Sequence, residues 1–359
     1  MGTINREGRR RFLKTVGAAG IAGVAGCAGN GGGDGDGSGV TTTQGNGGGQ
    51  QSYDWTIATA ASEGHAFERA ASAFKQELES MSDGRFSIDV ASGGAFGGDV
   101  EQLETLQSGG IEMTSSGFVI VLNVEFDAPV IATLASSFIY QEPVWEHWLN
   151  MIEEVDNRIG MYDQLEESGA KILGDPNYAG MRHHTSNTAI RSASDTEGIT
   201  IRVPELLGWH AIWSAIGFEP TSLALDEVYQ ALQAGTVSAA EGDPFQIAAE
   251  SWDEVQSHLS FTSHYPTQNS LHINTNLYDD LPEEDQDLVS EAATSAGQNA
   301  AEEIRAAEED QIESLSESMT IVRNTELSSF REAATPAMER LIEENDAVLT
   351  LDEIQDLAP

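Results

Sequence analysis

The sequence predicts an α/β protein built of two similar lobes that face each other across a cleft. Between Tyr178 and Pro244 the chain reads as three successive strands that each run into a helix or a sharp turn. A second series of strand and helix periods fills Tyr53 to Thr114. The phrases Leu106-Gln107-Ser108-Gly109 and Leu232-Gln233-Ala234-Gly235 each close a helix ahead of a short strand, so one supersecondary plan recurs in both halves.

In the first half, Trp55 to Ala58 reads as a strand, and His65 to Met81 as a helix with Phe67, Ala70, Phe74 and Leu78 on one stripe. Arg85 to Val90 alternates as a strand through Phe86, Ile88 and Val90. Gly93-Gly94 and Gly97-Gly98 bracket a turn, after which Asp99 is expected to cap a helix carrying Val100, Leu103 and Leu106, followed by a strand over Ile111 to Thr114. Pro129 to Phe138 reads as core, and Trp145 and Trp148 as packing residues of a helix that runs to Ile159.

The second half centres on Ile199 to Val203, where Ile199, Ile201 and Val203 alternate with Thr200 and Arg202, so Arg202 points away from the apolar face. Pro204 then suits a first helical turn, with helical spacing continuing to Gly217; this places the Arg202 guanidinium at a strand's carboxyl end beside a helix N-terminus. A cationic fork in that position suits two carboxylate oxygens. Phe218 to Leu223 and Thr236 to Ala240 are further strands. Asp226 is the expected cap of the helix that ends at Gly235, and Asp243-Pro244 opens another helix. Ligands of open α/β sheets bind outside the strands' carboxyl ends, and Arg202, Leu225 and Glu241 to Asp243 fall at that rim. Arg182, after the strand-like Ile172-Leu173 and the turn Asp175-Pro176-Asn177, faces the same crevice; Trp209 and Phe245 suit either its wall or the core.

After His264, Leu271 to Asn274 alternates as a strand that returns the chain to the first lobe. Leu281-Pro282 starts a long helix running to about Leu315, and terminal helices fill Phe330 to Leu351.

The formal charge of −42 makes nucleic acid an implausible partner. Lys14, Lys75 and Lys171 are the only lysines, yet 40% of residues are hydrophobic, so the acidity fits a surface adapted to strong brine better than disorder. At 1 M salt the Debye length is about 3 Å, and the field of such a surface does not reach an incoming anion.

Residues 1–26 read as an export signal. Arg9-Arg10-Arg11-Phe12-Leu13-Lys14 is similar to a twin-arginine motif, and the small, apolar run Val16 to Gly26 is too short for a membrane span. Val24-Ala25-Gly26-Cys27 resembles a lipobox, which implies lipidation of Cys27 and a membrane anchor; the alternative for this lone cysteine is a small buried hydrophobe. Residues 27–52, rich in Gly, Asn, Asp, Ser, Thr and Gln, read as a tether. A coil of about 25 residues reaches roughly 25 to 30 Å.

Four motifs in order resemble the extracytoplasmic solute-binding subunit of TRAP transporters, the DctP type: Arg182-His183-His184-Thr185-Ser186-Asn187-Thr188-Ala189-Ile190, Gly198-Ile199-Thr200-Ile201-Arg202-Val203-Pro204, Glu227-Val228-Tyr229-Gln230-Ala231-Leu232-Gln233-Ala234-Gly235 and Glu254-Val255-Gln256. The similarity runs from about Tyr53 to beyond Leu281. It implies a two-lobed, periplasmic-binding-protein-like (type II) fold with a long lobe-spanning helix, and a receptor that closes on a small organic acid and delivers it to membrane permease subunits. In this reading 53–179 plus 269–308 form lobe 1, and 180–268 plus 309–359 form lobe 2. The resemblance carries carboxylate pairing onto Arg202, with assistance from Arg182. Leu225, Asp243, Gly117, Glu205 and Phe245 complete the candidate contacts. The chain departs from its relatives at Ser238 to Pro244, where a polar, uncharged ligand contact becomes Asp243.

Periodicity alone fits Arg202 equally to a structural ion pair. His183 and His184, adjacent on an extended segment, point to opposite faces and do not suit one metal ion. Asp243 and Glu241 suit a cation, a water or a helix cap, with capping favoured for Asp243. With no nucleophile elbow, phosphate loop or metalloprotease helix, neither an enzyme nor a cofactor is expected. The alternative function is a ligand-sensing module that uses the same cleft to report to a membrane receptor.

Overall fold

The computed structural model describes residues 51–134 and 142–359. The export signal, Cys27, nearly all of the tether and the end of the apolar run at 129–138 lie outside these described residues.

The described chain opens with β1 (Tyr53–Ala58), α1 (Ala66–Met81), β2 (Phe86–Ala91), α2 (Asp99–Gln107) and β3 (Met113–Gly117). Helices α3 (Phe118–Glu125), α4 (Ala128–Leu134), α5 (Val144–Ile159) and α6 (Met161–Glu167) follow. Next come β4 (Ala170–Met181), β5 (His183–Ser186), β6 (Thr200–Val203), α7 (Trp209–Ile216), β7 (Glu219–Ser222), α8 (Val228–Ala234), β8 (Ala239–Gly242), α9 (Pro244–Ala249) and β9 (His258–Ser260). The chain returns through β10 (Pro266–Asn274) and α10 (Thr275–Asp279) to α11 (Glu283–Leu315), and ends in β11 (Thr320–Val322), α12 (Leu327–Glu344) and α13 (Leu351–Asp356).

These strands form two sheets, of order β2-β1-β3-β10-β4 and β11-β9-β5-β8-β6-β7. Only Arg182 separates β4 in the first sheet from β5 in the second, so its backbone is a crossing point between lobes. The return crossing runs beside it: Arg182 N–H donates to the Tyr265 carbonyl at 2.9 Å, and His264 N–H to the Arg182 carbonyl at 3.3 Å.

Apolar periodicity places the core as expected. On α1, Phe67, Ala70, Phe74 and Leu78 are buried, and the His65 ring caps the helix by accepting from Phe67 N–H at 3.1 Å. Helix α11 has 33 residues and is about 50 Å long. Its Val289, Ala292, Ala293 and Ala296 join the core cluster of the first sheet, while Leu315 joins a cluster with Val228, Val237 and Leu259 of the second. One rod thus contributes to both lobes. At Gly297 it comes so close to Asn177 of β4 that any Cβ would strike the amide.

Several local expectations are corrected. The helix expected from Pro204 begins at Trp209, because Gly208, at φ 81°, turns the chain first, and a Cβ there would collide with Leu341. No helix therefore starts beside the end of β6. Gly98 is the N-cap of α2, and Asp99 is the first helical residue with no capping bond. Asp226 lies in a 3-10 turn over Leu225–Glu227, where Glu227 accepts from Ala224 N–H. Asp175-Pro176-Asn177 is no reversal. It is absorbed in β4 as a bulge, since Leu173 and Asn177 face Leu271 and Asn269 of β10.

Candidate functional site

A cavity of about 70 Å³ lies between the sheets. From the first lobe it is lined by Phe67 of α1, Asp99 at the start of α2, Gly117 at the end of β3, and Val119 and Ile120 of α3. Arg202 of β6, Leu206, Trp209 and Leu225 close it from the second lobe, with Arg182 and Tyr265 to Gln268 at the crossing strands. Gly117 leaves room for close approach, since a Cβ there would stand 3.2 Å from Ile120 and 3.6 Å from Phe67.

Arg202 has 4% of its surface exposed. Its Nε and Nη2 donate to the Leu223 carbonyl at 3.0 and 2.8 Å, which fixes one edge of the guanidinium. Among the described residues no carboxylate pairs with it and Nη1 donates no hydrogen bond. Burial, reinforced by the like charge of Arg182, pulls its pKa down to about 10, so it stays cationic at neutral pH. A buried, charged fork with one edge anchored and its other end at a cavity is prepared for an anion.

Arg182 is arranged differently. Its Nε and Nη2 grip the two carboxylate oxygens of Glu241 at 2.5 and 2.7 Å, Nη2 also reaches the Glu241 carbonyl, and Nη1 reaches Gln246 Oε1 and Thr267 Oγ1. The structural ion pair that periodicity allowed for Arg202 is thus made by Arg182. Burial opposes the Glu241 charge, but the Arg182 charge and the bonds from His264 and Arg182 outweigh it and hold the pKa at about 2. Burial likewise opposes the Arg182 charge, and Glu241 outweighs it and raises that pKa. Glu241 lies at no open rim; it is wholly buried.

The remaining candidates divide. Leu225, Gly117 and Trp209 line the cavity, Trp209 while also packing edge-on against Trp213 and Tyr265. Asp243, Phe245 and Glu205 do not. Asp243 is buried as the cap of α9, accepting from Phe245 N–H and Gln246 N–H at 3.1 and 2.9 Å and from Thr267 Oγ1 at 2.9 Å. Phe245 packs in the core with the Arg69 guanidinium 5.4 Å from its ring, and Glu205 is exposed, offering its backbone carbonyl to Asn123. His183 and His184 point to opposite faces of β5, the first stacked on Phe261 and the second among Trp213, Phe218 and His264. Burial lowers both pKa values, that of His183 to about 3.

Sequence reasoning missed Asp99 as a cavity residue, because an acid after Gly97-Gly98 at a helix start reads as a cap. Tyr265 to Gln268 were missed as well, since their polar character hid the beginning of β10.

Two α/β lobes joined by crossing strands and a common helix, enclosing a small cavity with a buried cation, make a solute-binding protein. The chain belongs to the DctP family, the bacterial extracellular solute-binding proteins of family 7, whose model matches residues 57–345. A solute-binding protein of Roseobacter denitrificans is 31% identical over 239 residues, 66% of this chain and 70% of that protein. The ectoine-binding periplasmic protein of Halomonas elongata is 28% identical over 301 residues, 81% of this chain and 85% of its own. In structure, the chain is similar to a TRAP periplasmic solute-binding protein of Roseobacter denitrificans crystallised with L-galactonate, with a TM-score of 0.71 and 26% identity over 83% of this chain and 99% of that one.

Proposed function

We propose that this protein is the receptor of a TRAP-type uptake system and captures a small organic acid between its lobes for delivery to a membrane permease. The observation that carries this reading is Arg202, buried at the cavity with its Nε and Nη2 edge held by Leu223 and Nη1 unpaired among the described residues. The solute carboxylate pairs with that end of the fork, where exclusion of water strengthens the bond. Arg182, neutralised by Glu241 and with Nη1 bonded to Gln246 and Thr267, holds the crossing strands in register at the cavity wall. Relatives lend support: the Roseobacter protein was crystallised with a sugar acid, L-galactonate, and a periplasmic protein of Rhodobacter capsulatus, 26% identical over 61% of this chain, binds C4-dicarboxylates.

Calorimetry in molar KCl tests the role of Arg202. Replacing Arg202 by Ala should cost about 2 to 5 kcal/mol of binding, the scale for removing one partner of a buried charge pair. Unchanged affinity in that variant refutes the assignment.

The export and anchoring features belong to the same reading. The twin-arginine signal takes the chain across the membrane, Cys27 receives lipid, and the tether lets the receptor reach its permease. A Cys27→Ser variant should leave the membrane fraction for the soluble one, and retention in washed membranes argues against the anchor.

A further inference from the structure

The cavity holds a second charged group that the carboxylate reading leaves unused. Asp99, on the first lobe, lines the same space as Arg202 on the second, and the two form no ion pair with each other. Asp99 is half-buried as a residue, and its Oδ1 is closed off from solvent and accepts no hydrogen bond among the described residues. Burial pushes this carboxyl up to about 6, against the pull of Arg202, so it is mostly ionised at neutral pH.

Among the charged residues that line it, the cavity is polarised. Arg182 is cancelled by Glu241, which leaves one cation at Arg202 and one anion at Asp99 on opposing walls. Several of the other polar atoms are already engaged within the protein. Gln246 Oε1 accepts from Arg182, Thr267 Oγ1 accepts from Arg182 and donates to Asp243, and Gln268 Nε2 donates to the Pro266 carbonyl. Phe67, Val119, Ile120, Leu206, Trp209 and Tyr265 form the remaining wall. The apolar walls return little of the hydration that a polyhydroxylated acid would lose, and a second carboxylate would face Asp99.

We propose that the solute is a compact zwitterion with an apolar body, its carboxylate on Arg202 and its protonated nitrogen on Asp99. This rests on the receptor reading above and names the solute class within it. Each lobe then holds one end of the solute, and closure completes both ion pairs together.

Calorimetry of the full chain in molar KCl against matched pairs tests the proposal: L-alanine and propionate, L-leucine and 4-methylpentanoate, L-proline and cyclopentanecarboxylate, with D-galacturonate and succinate beside them. The tightest ligand should carry a cationic nitrogen and bind at least about tenfold better than its nitrogen-free partner, the scale of one charge-assisted bond. Asp99→Asn should reduce that ratio by about tenfold or more. A tightest ligand without a cationic nitrogen overturns the proposal, as does a ratio that Asp99→Asn leaves intact. In either of those cases Arg202→Ala still decides the receptor reading by itself; if no carboxylate in the panel binds, the receptor reading and this one fall together.

Discussion

Two arginines at one cavity have opposite tasks, and their neighbours decide which does what. Arg182 lies within reach of Glu241 on the adjoining strand and is spent on it, whereas Arg202 donates only to a carbonyl and, on the proposed reading, keeps its charge for a guest. The Arg182–Glu241 pair is itself a point of vulnerability. Glu241→Gln removes the counter-charge at constant size and leaves a buried guanidinium unpaired, which should cost roughly 3 to 5 kcal/mol of stability at neutral pH. The sign of its pH dependence follows from the depressed pKa. Glu241 titrates at about 2 when folded against an ordinary 4.5, so the pair's contribution is complete above about 4.5 and fades as pH falls toward 2. Thermal unfolding in molar KCl should therefore show the gap between wild type and Glu241→Gln narrowing over that window, and a gap constant from pH 7 to 3 would contradict the assignment.

At the level of elements, local periodicity is informative where one face is apolar. The stripe of α1, the alternation of β2, the strand at β6, the stops at Gly217 and Gly235 and the Asp243 cap all stand in the structure as the sequence implies, with the starts of both strands displaced by one residue. Misreadings arise where tertiary contacts override local signals. Pro204 has the chemistry of a helix start, but Leu341 of α12, distant in sequence, leaves space only for a glycine at 208 and delays the helix by five residues. The Asp175-Pro176-Asn177 turn signal is real as a break in the ladder, and pairing with β10 turns it into a bulge. Both ends of the site are affected unequally: Arg202 is legible because its strand alternates, while Asp99 is hidden behind its resemblance to a cap. No local pattern discloses that a residue at 99 and one at 202 border the same space; only the folding of two lobes around one cavity does that.

Over the whole molecule, the acid excess is the dominant feature. With 59 Asp and Glu against 17 Lys and Arg, few surface carboxylates find a cationic partner, and like charges repel in dilute solution. Stability should rise with KCl well into the molar range. An unfolding midpoint that is flat above about 0.15 M KCl, where ordinary proteins are already screened over about 8 Å, would sink the idea of a brine-adapted surface. The lobes are also fastened to each other by residues that do not line the cavity: Glu250 accepts from Ser62 N–H and Oγ at 2.9 and 3.0 Å, and Asn123 bonds both the Glu205 carbonyl and Leu207 N–H.

Helix α11 adds a mechanical side to this arrangement. Its first half is bedded in the first lobe through Val289, Ala292, Ala293 and Ala296 and its far end in the second through Leu315, so a rotation of one lobe against the other would load the stretch after Gly297. On the proposed reading, the stiffness of that stretch bounds how far the two jaws part to admit a solute.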